Sequence, residues 1–206
     1  MIINHYFSRE EKKTPFILVG LGNPGREYEN TRHNIGFMAI DRLAQKWGVV
    51  LKKIRYGSLF GEARFNDAKV VLVKPQTYMN NSGVAVASFV RFYKPALEQL
   101  LVVFDDLDLP FGSLRFRPSG GSSGQKGMQS IINRLGNGEF PRLRVGVGRP
   151  PGRMDASDFI LRPFMKREEE RLDFVLQAAA DAIETFLRDG LEKSMTVYNR
   201  SILDDD

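Results

Sequence analysis

The stretch ILVGLGNPGREY, Ile17 to Tyr28, decides how this chain is to be read. Gly20, Gly22 and Gly25 follow an apolar run at G-x-G-x-x-G spacing, the layout in which a helix N-terminus receives a dinucleotide pyrophosphate. That reading fails twice. A dinucleotide fold needs small apolar residues after the third glycine so that the helix can press on the sheet, but Gly25 leads into Arg26, Glu27, Tyr28, Glu29 and Asn30. The acidic ribose ligand is due about 20 residues further on, and the nearest acid, Asp41, falls inside a helical pattern. A plain type II turn at Asn23-Pro24-Gly25 explains the proline and the glycine. It leaves the polar cluster Thr31-Arg32-His33-Asn34 unexplained.

Outward from this stretch, apolar runs and helical repeats alternate. FILVG reads as a first strand stopped by glycine. From Asn34, residues Ile35, Phe37, Ile40, Leu43, Ala44 and Trp47 recur at helical spacing until Gly48. SLFGEARF and KVVLVKP are adjacent strands with Asn66-Asp67 near their turn. A helix runs from about Ser82, with Asn81 as a possible cap, to Tyr93 ahead of Pro95. LLVVF is continuously apolar, as a central strand covered on both faces would be, and ends in DDLDLP. In SLRFR the residues Arg115 and Arg117 alternate with Leu114 and Phe116, and Arg142 and Arg144 alternate likewise in RLRVGVG. A glycine-serine loop, Gly120 to Gly124, precedes a helix near Lys126–Leu135, and a long helix covers about Arg167–Arg188. The pattern predicts an α/β fold, a single three-layer α/β/α domain with a twisted mixed β-sheet over residues 15–200. Residues 1–14 read as a mobile polar extension and 201–206 as an acidic tail.

With 206 residues and 42% hydrophobic content the chain can bury one sizeable core. It has no cysteine, which excludes disulfides, thiolate nucleophiles and cysteine metal sites. The opening residues lack an apolar signal core, and no run approaches the roughly 20 apolar residues of a membrane span; a soluble cytoplasmic protein is expected. The formal charge is +5, and without the three closing aspartates it would be +8. Such a body suits a polyanionic partner, or is simply a basic surface.

The two histidines are His5, in the extension, and His33. His33 is therefore the candidate general base, beyond the first strand on the rim where the FDDLD and YMNNSG stretches also emerge. The bland alternative is a helix cap or a surface imidazole. Asp106 and Asp108 fit turn or capping roles; with Asp105 they would make a hard-cation site, which no histidine cluster supports.

Four long motifs occur in order: GLGNPGREYENTRHNIGF (20–37), KPQTYMNNSG (74–83), FDDLDLPFGSLRFR (104–117) and EFPRLRVGVGRP (139–150). Through them the chain resembles the bacterial-type peptidyl-tRNA hydrolases from about Phe16 to Asn199. The resemblance implies hydrolysis of the ester joining a peptide to the terminal ribose of tRNA, with no metal or nucleotide cofactor, by a monomer that recycles prematurely released peptidyl-tRNA. By matching positions it makes His33 the base that activates water and Asp105 the carboxylate that orients it, a pairing that fixes the imidazole tautomer. It makes Asn23 and Asn80 the amides that hold the peptide and the attacked group, with Tyr28, Tyr78 and Met79 lining the same cleft. Arg117 and Arg144 match positions that grip the tRNA 5′-phosphate, for which guanidinium forks are suited; the alternative for them is a solvated sheet edge.

The chain departs from the family in the glycine loop. Where the family often has a His-Asn pair, Gln125 and Lys126 stand here. Gln125 hydrogen-bonds but cannot titrate. Lys126 brings a cation to a helix start, as a phosphate or ribose contact or as a surface lysine. The rival reading is a hydrolase-like RNA-binding protein without turnover; the retained Asn23, His33, Asn80 and Asp105 weigh against it.

Overall fold

The computed structural model describes residues 14–203. Seven strands form one mixed sheet: β1 (Phe16–Gly20), β2 (Lys53–Arg55), β3 (Ser58–Phe65), β4 (Ala68–Pro75), β5 (Leu100–Asp106), β6 (Leu114–Arg117) and β7 (Arg142–Gly146). The helices are α1 (Ile35–Lys46), α2 (Ser82–Tyr93), α3 (Lys126–Leu135), α4 (Ala156–Ile160), α5 (Lys166–Asp189) and α6 (Leu191–Tyr198). Strand order is β2-β3-β4-β1-β5-β7-β6. The four central strands are parallel, and antiparallel pairs close both edges.

Alternation within each strand feeds two cores. Leu18, Leu72, Leu101, Val103, Leu143 and Val145 lie beneath α1 and α5, while Ile17, Val19, Val71, Val73, Val102 and Phe104 lie beneath α2 and α3. Every residue of β5 is buried, as expected of a strand covered on both faces. The core on the α2/α3 side takes no residue from β6 or β7, where the side chains of that face are arginines instead.

The strand order positions the site. The connection leaving β1 places α1 on one face and returns to β4 on one side; the connection leaving β4 places α2 on the other face and reaches β5 on the opposite side of β1. A crevice opens at such a switch point, beyond the carboxyl ends of the strands. The glycines that imitate a phosphate loop serve this packing. A Cβ on Gly20 would lie 2.2 Å from the Gly36 carbonyl oxygen, one on Gly36 would lie 2.4 Å from that of Val103, and one on Gly22 would strike the Phe37 ring. Helix α1 can approach β1 and β5 only because these positions carry no side chain.

The strands and longer helices fall where periodicity puts them. The short elements β2, α4 and α6 were not anticipated. Residues 201–203 are joined to the body: Ser201 bridges Ser113, the Ile202 N–H donates to Gly112, and the Arg171 guanidinium donates to the Leu203 carbonyl. Thr14 exchanges hydrogen bonds with Gln99. The remainder of the predicted extension and tail lies outside the described residues. No described helix is long and apolar enough to cross a membrane.

Candidate active site

The cluster that the turn reading left unexplained is four anchors in succession. Thr31 makes a β-bridge with Pro163, and its hydroxyl donates to the Tyr28 carbonyl. Arg32 is buried and donates to the carbonyls of Arg162 (3.2 Å) and Pro163 (2.6 Å) and to the Glu168 carboxylate, with the Phe159 ring 4.1 Å from its guanidinium carbon. Burial lowers its pKa and the Glu168 charge opposes that shift. His33 Nδ1 lies 2.8 Å from Asp105 Oδ2, with both side chains buried. Asn34 brackets the backbone of Asn23: its Oδ1 accepts from the Asn23 N–H and its Nδ2 donates to the Asn23 carbonyl. The Asn23 side chain is left to accept from the Met79 N–H at 2.9 Å. Gly25, at φ 114 and ψ 145, occupies backbone space that essentially only glycine enters, and not the conformation a type II turn requires.

Asp105 is held on its other oxygen too. Gln125 Nε2 lies 3.1 Å from Asp105 Oδ1 and 3.1 Å from Met79 Sδ, while Gln125 Oε1 accepts from the Met128 N–H and so caps α3. Asn23, His33, Asp105 and Gln125 thus meet beside a cavity of about 470 Å³ whose wall also includes Tyr78, Met79, Asn80 and Lys126. Ile160 and Leu161, at the end of α4, also form part of the wall. The side chains of Asn80 and Lys126 are exposed and make no hydrogen bond within the described residues. A more open groove of about 790 Å³, lined by Thr14, Glu62, Arg64 and Tyr93 among others, contains no histidine.

One expectation changes, that for Tyr28, and the other candidates are placed as follows. Tyr28 is not on the cavity wall; it closes the short turn Arg26–Tyr28, and its carbonyl accepts from Thr31. Arg117 and Arg144 lie outside the wall as well, on β6 and β7, on the sheet face that the α2/α3 core leaves uncovered. Arg144 is ion-paired with Asp106, whereas Arg117 has no ion-pair partner among the described residues. The three carboxylates do not converge: Asp105 faces His33 and Gln125, Asp106 accepts from Arg144 and from the Asp108 N–H, and Asp108 pairs with Arg149. Asn81 precedes α2 but makes no capping bond with its side chain.

Sequence reasoning missed Arg32, Asn34 and Arg142. Arg142, cross-strand from Arg117, is buried and donates to the carbonyls of Gly120, Gly121, Gly138 and Phe140. It is the clasp of the glycine loop, and burial brings its pKa down to about 10. Its signal was present: an arginine in the alternating pattern of a strand beside the edge, C-terminal to a glycine-rich loop of bare carbonyls.

A family model for peptidyl-tRNA hydrolase matches residues 17–205. The chain belongs to the peptidyl-tRNA hydrolase family. It is 52% identical over 185 residues to a peptidyl-tRNA hydrolase of Carboxydothermus hydrogenoformans, covering 90% of this chain and 98% of that protein. To the chloroplastic peptidyl-tRNA hydrolase of Arabidopsis thaliana it is 50% identical over 186 residues, covering 90% of this chain and 65% of the longer relative. The crystal structure of the peptidyl-tRNA hydrolase of Acinetobacter baumannii superimposes with a TM-score of 0.84 at 33% identity, over 91% of this chain and 95% of that one. The α/β fold is that of the family's solved members.

Proposed function

We propose that this chain hydrolyses peptidyl-tRNA, with His33 as general base. The observation that carries the proposal is the buried contact between His33 Nδ1 and Asp105 at 2.8 Å, beside a cavity whose wall includes two asparagines. Donation from Nδ1 to the carboxylate leaves Nε2 as the acceptor for a water proton. As water loses that proton its oxygen bonds to the ester carbonyl carbon, and Asp105 stabilises the imidazolium that forms. The bond from that carbon to the ribose oxygen then breaks, and the ribose oxygen takes up the proton. A peptide acid and a free tRNA 3′ end result.

Asn23 supports this chemistry because its Oδ1 is already engaged with Met79, leaving Nδ2 as a donor for the charge that develops on the carbonyl oxygen. Asn80 and Tyr78 contact the peptide, and Lys126 contacts the ribose or terminal phosphate. Arg117 and Arg144 bind tRNA phosphates, contacts that carry no sequence readout and so suit an enzyme accepting many tRNAs. The reading includes a monomer working in the cytoplasm, its body spanning residues 15–200.

The test compares N-acetylated and free aminoacyl-tRNA as substrates of the purified chain. The blocked ester is expected to be cleaved and the free one largely spared. Equal cleavage of both, or of neither, would overturn the assignment.

A further inference from the structure

Gln125 does more than fill the place of a family histidine. Its side chain is buried and holds two elements at once, capping α3 through Oε1 and meeting Asp105 through Nε2. Glutamine is not among the preferred capping residues. Its extra methylene lets one amide oxygen reach the Met128 N–H while the nitrogen continues to the carboxylate. The amide orientation is settled from both ends, because the flipped form would set an NH2 against the Met128 N–H and an oxygen against Asp105. Space for it comes from Gly127, where a Cβ would lie 3.1 Å from Gln125 Oε1 and 2.5 Å from Met79 Sδ.

We propose that Gln125 is a positioning residue that ties the start of α3 to the catalytic carboxylate: it holds Asp105 Oδ1 with a donor that never titrates, so that Oδ2 stays turned to His33 as the medium acidifies. The inference rests on the general-base reading of His33. The charged or titratable groups around the amide are His33 and Asp105, Asp106 held by Arg144, Asp108 paired with Arg149, and exposed Tyr78 and Lys126. The part of α4 on the wall contributes Ala156, Ser157 and Ile160 and no charge.

The test measures kcat and KM against pH on N-acetylated aminoacyl-tRNA for Gln125→Glu and Gln125→His, with thermal melting to verify folding. Gln125→Glu keeps a capping oxygen but sets a second carboxylate against Asp105. The pair then shares a proton at low pH, and when ionised it makes His33 harder to deprotonate. Both effects act in one direction. The expected result is a kcat lowered on the order of tenfold, the scale on which groups orienting a reactive residue act, with KM held within about twofold and the acid limb moved to higher pH. Gln125→His should add a second ionisation to that limb.

A folded Gln125→Glu protein with wild-type kcat and an unmoved limb overturns the proposal. If that variant does not fold, Gln125→His decides, and a limb with a single ionisation overturns it. Full activity in His33→Ala would instead remove the reading on which the inference stands. An inactive His33→Ala beside an unmoved Gln125→Glu profile sinks only the role of Gln125.

Discussion

Two loops deliver partners to the two oxygens of Asp105, and they are built in opposite ways. The loop after β1, residues 21–34, is pinned residue by residue over its last four positions: Thr31 and Arg32 to the segment before α5, His33 to the carboxylate, and Asn34 to the backbone of Asn23. The loop between β6 and α3, residues 118–125, is largely exposed and rich in glycine. It is fixed by the Arg142 guanidinium on two of its carbonyls, by Ser122 on Gln129 and by Gln125 at its end. The difference teaches a division of labour. A base must sit within hydrogen-bond reach of the proton it takes, so the segment Thr31–Asn34 that carries it is cross-linked at every residue. The second loop borders the cavity, is held at a few points, and delivers only its last side chain to Asp105.

Breaking the clasp of the second loop should have the larger effect. Arg142→Leu removes donors from four carbonyls, of which that of buried Phe140 is least able to recover a partner in water. The expected loss is about 2–3 kcal/mol of stability, seen as a fall in melting temperature of about 5–10 °C. Activity should fall as well, because Gln125 loses its support. An unchanged melting curve would show that the loop holds itself.

A smaller and different effect is expected where that loop leaves β6. Arg117→Ala should raise KM with little change in kcat and reduce the salt dependence of tRNA binding by about one in the log–log slope, the signature of one lost phosphate contact. An unaltered slope would return Arg117 to the role of a solvated edge charge. Arg144 makes a poorer probe, since its removal also frees Asp106.

The contrast between the loops also marks what was legible in the sequence. β3, β4, α1, α2 and α3 were readable because apolar periodicities declare both an element and its buried face, and β1 because its unbroken apolar run is stopped by glycine. β2, α4 and α6 carry too few residues for a period to show: three, five and eight. His33 and Asp105 could be singled out because the chain offers few alternatives, yet no pattern within Thr31–Asn34 says that each residue turns to a different partner. Those partners lie 130 or more residues away for Arg32 and 72 for His33. Arg142 shows the same limit from the other side. Alternation sets it on the face it shares with Arg144, but only the folded glycine loop makes it a buried structural cation.

The most direct measurement is kcat/KM of the His33→Ala protein on an N-acetylated aminoacyl-tRNA, taken beside the wild type with folding verified by melting. A fall of about a hundredfold or more is expected from the loss of general-base catalysis, with tRNA binding retained. Turnover at the wild-type rate would contradict the account, because the contact of His33 with Asp105 would then be structural and the water would be activated elsewhere.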